Sequence, residues 1–201
     1  MSTDSTFFAS KRRWSEIKDR ILRGYLKPYL NKVDSLGKRF VLVDGFAGPG
    51  TFGEGEHLKE GSPLIITRLA EEIVPGRYTA YFSNKNRKHH QALGRALRPW
   101  LEAGCDLRLV NDTASRLLEQ VNESLTDQSL FIFLDPFGLK GCSFDMILPF
   151  LRRPKKYSTE LLINISTRTL HRLAAAKSNA GGRGYQLKES WHRILTEVLG
   201  G

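Results

Sequence analysis

The stretch FVLVDGFAGPGTFG, residues 40–53, decides how this chain is read. Phe40, Val41, Leu42 and Val43 form an apolar run of strand length, and a carboxylate, Asp44, ends it. Glycines follow at 45, 48, 50 and 53. Lacking a Cβ, a glycine lets the backbone turn sharply and lets a ligand come close to it. A strand that ends in such a loop is how many nucleotide-type sites begin.

On either side of this loop the chain alternates between short apolar runs and helical patterns. Residues 78–83, 107–110, 130–134 and 161–165 read as further strands. Helices are expected over 64–73, 87–100, 114–125 and 144–151, with Ser62 (followed by Pro63), Asn86, Thr113 and Ser143 as their N-caps. This alternation predicts an α/β fold, a doubly wound, mostly parallel and Rossmann-like sheet covered by helices on both faces. The unbroken apolarity of residues 130–134 suits a central strand buried on both sides.

Three segments are expected. Residues 1–36 form an N-terminal helical extension, in which Trp14, Ile17, Ile21, Leu22, Tyr25, Leu26, Tyr29, Leu30 and Val33 recur at helical spacing. Pro28 should kink or break that helix one turn before its end. The basic face of the extension is either solvated or brings Lys18, with Trp14, to the mouth of a site. Residues 37–177 form the Rossmann-like domain. Residues 178–201 hold a flexible break, rich in glycine at 181, 182 and 184, and a last amphipathic helix.

Bulk composition narrows the function classes. Hydrophobic content of 40% and charged content of 26% fit a globular protein. The longest apolar runs are too short to span a bilayer, and residues 1–10 lack a secretory pattern, so a cytoplasmic location and no membrane partner are expected. Two cysteines, Cys105 and Cys142, make neither a disulfide framework nor a zinc set, and no metal is expected. His89 and His90 read as a packed or solvated pair. A net charge of +10 favours polyanionic partners, nucleic acid foremost.

Ligands of parallel sheets bind beyond the carboxyl ends of the strands. All five expected strands end in polar groups: Asp44 with its glycine loop, Ser83 to Asn86, Asn111 with Asp112, Asp135 to Gly138, and Asn164 to Arg168. Five such tips together make a site. Gly48, Gly50 and Gly53 satisfy the G-x-G-x-x-G spacing of a dinucleotide loop. Against that reading, Asp44 would stand beside a pyrophosphate, and no helix N-terminus follows the glycines directly to receive one. S-adenosylmethionine fits better. It carries an amine, a sulfonium and a carboxylate but no phosphate, so Asp44 at the strand tip can accept from its amine, directly or through water. Asp112 is placed to accept from the adenine amino group.

The residues Val43 to Gly50 (VDGFAGPG), Gly61-Ser62-Pro63, and Phe133 to Gly141 (FLDPFGLKG) resemble the family of three-Cys-motif partner proteins. That family is similar to class I S-adenosylmethionine-dependent methyltransferases, especially those acting on amino groups of nucleobases. The resemblance covers roughly residues 14–172. It implies that Asp44, Gly45, Phe46, Ala47, Gly48 and Gly50 hold the methionine side of the cofactor and that Asp112 serves the adenine. It places Asp135, Pro136, Phe137 and Gly138 at the amino-methyltransferase motif. There Asp135 would accept from the target NH₂, Pro136 would fix the turn and Phe137 would stack on an extruded base. The acid usual for the ribose is absent after the second strand, leaving Asn84 or Asn86 for that role. Lys18, Arg168 and Arg172 are candidates for substrate phosphates. A closing hairpin typical of methyltransferase sheets is not found, so a chain that continues beyond Gly201 is expected. The functional expectation is a methyltransferase acting on an amino nitrogen in nucleic acid. Its alternative is a non-catalytic cofactor-binding partner of a three-cysteine-motif enzyme of iron–sulfur or radical type.

Overall fold

All five residues of strand β1 (Phe40–Asp44) are buried, because this strand lies in the middle of the sheet. The structure, a computed structural model, describes residues 13–53, 55, 58–136, 141–167, 193 and 196. In chain order the described elements are α1 (Arg13–Asp34), β1, β2 (Thr51–Phe52), β3 (Lys59–Glu60), α2 (Ser62–Ile73) and β4 (Tyr78–Ser83). They continue with α3 (Arg87–Ala96), α4 (Arg98–Glu102), β5 (Leu107–Val110), α5 (Ala114–Ser124), β6 (Ser129–Leu134), α6 (Phe144–Leu151) and β7 (Thr159–Ile163).

The main sheet has the order β5-β4-β1-β6-β7, and every pairing in it is parallel. From β1 the chain moves outward through β4 to β5, then crosses back to β6 on the other side of β1. The order therefore reverses between β1 and β6, the position where α/β sheets open a crevice. This is the doubly wound, Rossmann-like α/β fold.

Side-chain alternation sorts the core into two layers. Phe40, Leu42, Tyr78, Ala80, Phe82, Phe131 and Phe133 point to one face, against Leu22, Leu26 and Leu30 of α1, Leu64 to Ile66 of α2 and Leu93 of α3. Val41, Val43, Leu130, Ile132 and Leu134 point to the other, against Leu117, Leu118 and Val121 of α5 and Ile147 and Phe150 of α6. All six residues of β6 are buried, as a strand covered on both faces requires.

Helix α1 is therefore a layer of the domain, and it runs antiparallel to β6. Tyr29 donates from its hydroxyl to the carbonyl of Leu130 at 3.1 Å, Tyr25 stands over Phe131 with ring centroids 6.2 Å apart, and Lys18 meets Asp135 just past the strand. Both paths cover the same length. Eleven helical steps of ~1.5 Å and five strand steps of ~3.3 Å each come to about 16 Å.

Several expected boundaries shift. The helix continues through Pro28 to Asp34, without the expected break. Leu22, Leu26 and Leu30 are fully buried on both sides of the proline, and burial of each is worth about 1.5–3 kcal/mol, against ~3 kcal/mol for the proline. The helix expected over 87–100 is two helices. Pro99 opens the second of them, and Leu97 is both the C-cap of α3 and the N-cap of α4. The last strand is Thr159–Ile163, starting and ending two residues earlier than expected. Asn86 and Thr113 cap their helices through side-chain oxygens, but Ser143 makes no side-chain cap bond. The cap of α2 is Gly61, not Ser62, and the hydroxyl of Ser62 is used elsewhere. The small antiparallel pair β2–β3 was not anticipated.

Among the described residues, no helix is long and apolar enough to cross a membrane, and no group of three His, Cys, Asp or Glu side chains could hold a metal ion. Both cysteines are free, and burial pushes the Cys142 thiol up. Phe137, Gly138, Arg168, Arg172 and, apart from residues 193 and 196, the expected C-terminal helix lie outside the described residues.

Candidate functional site

The glycine loop is held from below by side chains at the strand tips. Asp44 is fully buried. One of its oxygens accepts from the backbone N–H of Phe46 at 3.0 Å, and the other accepts from the hydroxyl of Ser62 at 2.6 Å. Burial raises this carboxyl to about 7, despite the two donors, which favour the charged form. The neighbouring carboxylates of Asp135 and Asp19 push it the same way.

The β4 tip completes the support. Ser83 donates to the carbonyl of Gly45 at 2.6 Å. Asn84 donates to the carbonyl of Gly48 at 2.9 Å and also to that of Ala47. Asn111 donates to the carbonyl of Asn84 at 2.6 Å, tying the β5 tip to the β4 tip. Three loop carbonyls, those of Gly45 and Ala47 buried and that of Gly48 partly so, thus find donors in side chains, where no strand partner is available to them.

Two glycines are dictated by space. A Cβ on Gly45 would stand 2.6 Å from Leu134 Cδ2 and 3.1 Å from Ala114 Cβ. Gly50 has φ of +88° and a Cβ there would come within 2.9 Å of Ala96. Its carbonyl accepts from the N–H of Gly61 at 2.7 Å, which closes the segment carrying β2 and β3.

Above this platform lies a cavity of about 540 Å³. Its walls are Gly45 to Gly48 after β1, Ser83 to Asn86 at the end of β4 and just beyond it, and Asp112 to Ser115 at the β5–α5 turn, with His89 and Gly141 at the margin. Among these lining residues Asp112 is the one acid, and it is exposed, with one oxygen accepting from the N–H of Thr113 at 2.6 Å. Lys85 is the one lysine.

The expected site residues separate into three groups. Gly45, Phe46, Ala47, Gly48, Asn84, Asn86 and Asp112 are brought together on one cavity. Asp44 and Gly50 are not among its lining residues. Asp44 is enclosed beneath the loop, where the Phe46 N–H and the Ser62 hydroxyl engage its two oxygens. Asn84 and Asn86 border the cavity, but the amide nitrogen of Asn84 clamps the loop and the amide oxygen of Asn86 caps α3, receiving Lys88 N–H at 2.9 Å.

The third group is at the β6–β7 tips. Asp135 is half-buried, and both of its oxygens are engaged: Oδ2 by the ammonium of Lys18 and Oδ1 by the amide of Asn164 at 2.6 Å. Asn164 is in turn fixed by its own N–H, which donates to the carbonyl of Leu134 at 2.8 Å. Pro136 is buried. Sequence reasoning placed Lys18 and Asp135 in one site but not on each other. It missed Ser62 as the partner of Asp44 and Asn164 as the second partner of Asp135. The signal for Asn164 was its position at a strand tip, and for Ser62 a hydroxyl whose capping role fell to Gly61.

No protein-family model matches this chain, and no curated protein matches it.

Proposed function

We propose that the cavity binds S-adenosylmethionine and that the protein transfers its methyl group to an amino nitrogen in nucleic acid. The observation that carries the reading is the composition of the cavity wall: glycine-loop backbone on one side, amide side chains and a single carboxylate on the other. Its volume of about 540 Å³ lies within the ~300–1,000 Å³ usual for cofactor sites. Among the described residues the first α-helix after the glycines starts at Ser62, beyond β2 and β3, so the loop does not feed an α-helix N-terminus directly as a dinucleotide loop does.

The residues present fit the cofactor in the following way. Gly45 to Gly48 leave room for its methionine end, and Asp112 would accept from the adenine amino group. The free ends of the Asn84 and Asn86 amides would meet the ribose hydroxyls. Bound there, the cofactor supplies an electrophilic methyl group on a sulfonium. Asp135, one strand across the switch point, would accept a hydrogen bond from the target NH₂ and favour the positive charge that builds on nitrogen as it is alkylated. Positioning carries most of such a reaction. The resemblance to three-Cys-motif partner proteins supports the same reading, and the net charge of +10 favours a nucleic acid substrate.

A second reading has its own observation. Lys18 and Asn164 occupy both oxygens of Asp135, as expected of a protein that keeps the cofactor pocket and serves as the non-catalytic partner of a three-cysteine-motif enzyme. Incubation with tritiated S-adenosylmethionine and mixed DNA, RNA and protein separates the two. Label in nucleic acid supports the enzyme, and cofactor binding with no label supports the partner.

A further inference from the structure

We propose that Lys18 is a phosphate-operated gate on Asp135, so that the site opens to a base carried on a nucleic acid strand and stays closed to a free base or nucleoside. The inference rests on the reading of Asp135 as the acceptor for a target amine.

The geometry of α1 supplies the gate. Lys18 reaches Asp135 from an element 117 residues away in sequence, and the two side chains are 20% and 22% exposed. Behind Lys18, the helix is fastened along its length. Leu22, Leu26 and Leu30 are buried, Arg23 pairs with Glu60 at 2.9 Å and Lys27 with Glu72 at 2.7 Å. The helix is thus fixed while its lysine, on a four-carbon stem at the edge of solvent, can swing. Asn164 is held by the backbone of β6 and keeps Asp135 in place when the lysine leaves.

Charge explains why the gate must open. A carboxylate neutralised by an adjacent ammonium is a poor acceptor for an amine that is becoming positive, and the ammonium would repel that amine directly. A nucleobase alone offers Lys18 nothing in exchange for Asp135. A phosphodiester does, because lysine binds phosphate as a point charge. Trp14 lies one helical turn before Lys18, on the same side of α1, and is 60% exposed. It offers an aromatic face beside the gate on which an unpaired base can stack. These features together fit single-stranded nucleic acid.

The test reads Asp135 directly, without turnover. In protein carrying ¹³Cγ-labelled aspartate, the Asp135 resonance is assigned by its loss in Asp135→Asn. Adding a short single-stranded oligonucleotide should shift it toward its position in Lys18→Met, and adding the corresponding nucleoside should not. A resonance that is the same in wild type and Lys18→Met, or that ignores the oligonucleotide, overturns the gate. The second measurement is methyl transfer. Wild type should favour oligonucleotide over nucleoside, and Lys18→Met should narrow that ratio at least tenfold by raising the nucleoside rate. Equal loss on both substrates would mean a merely structural lysine. If wild type labels neither substrate while the resonance still responds, the methyltransferase reading fails and the phosphate-responsive contact stands.

Discussion

Ser62, the first residue of α2, donates its hydroxyl proton to the buried carboxylate of Asp44 at 2.6 Å, linking the start of a helix to the end of the central strand. The bond spans the whole glycine loop and sets where the loop can lie. Removing it with Ser62→Ala leaves a buried carboxylate with one donor fewer. We expect a loss of about 1–3 kcal/mol in urea unfolding. Because the lost bond favours the charged form, the deficit should be larger at pH 8 than at pH 5.

The pH dependence of stability follows from the same carboxyl. Asp44 is raised from 3.8 to about 7 in the folded protein. The unfolded chain therefore ionises first, and the stability this group contributes is fully present below about pH 4 and lost as pH rises through 7. At 1.36 kcal/mol per unit the ceiling is about 4 kcal/mol. In Asp44→Asn this dependence disappears. The stability of the variant relative to wild type should climb between pH 4 and 7 and then level off, as read from denaturant midpoints across that range.

Gly45→Ala tests the fit of loop to sheet. The new Cβ meets Leu134 Cδ2 at 2.6 Å, inside any real contact, and we expect about 1–3 kcal/mol of destabilisation from overpacking. Leu134→Ala removes the clashing atom. The double variant should therefore be more stable than the sum of the two single losses predicts, which a double-mutant cycle measures.

Asn84→Ala removes the donors to the carbonyls of Ala47 and Gly48. The loop backbone should loosen, with stability falling by about 1–3 kcal/mol, chiefly for the buried Ala47 carbonyl left unsatisfied. Affinity for S-adenosylhomocysteine should fall about tenfold, ~1.4 kcal/mol. Unchanged affinity in a folded Asn84→Ala protein would show that the clamp does not shape the pocket.

What the sequence disclosed was mostly local. The run from Phe40 to Val43, the glycines after it, and the caps Asn86 and Thr113 each rest on nearest-neighbour chemistry, and each stands where expected. Side-chain partners brought together by tertiary packing were not legible. Asn84 has the chemistry of a ribose ligand and of a loop clamp alike, and only the position of Ala47 and Gly48 assigns its amide nitrogen to the clamp. Lys18 and Asp135 meet because α1 and β6 run the same distance in opposite directions, a property of no short stretch of residues. Pro28 misled for a related reason: a local breaker was outweighed by three buried leucines contacting the sheet.

The claim on which the account rests is that the cavity over the glycine loop holds S-adenosylmethionine. Isothermal titration of the protein with S-adenosylhomocysteine tests it most directly. The account predicts a saturable single-site isotherm, weakened at least tenfold by Asp112→Ala. A wild-type titration with no heat at several temperatures, alongside a competing dye that S-adenosylhomocysteine fails to displace, would contradict it.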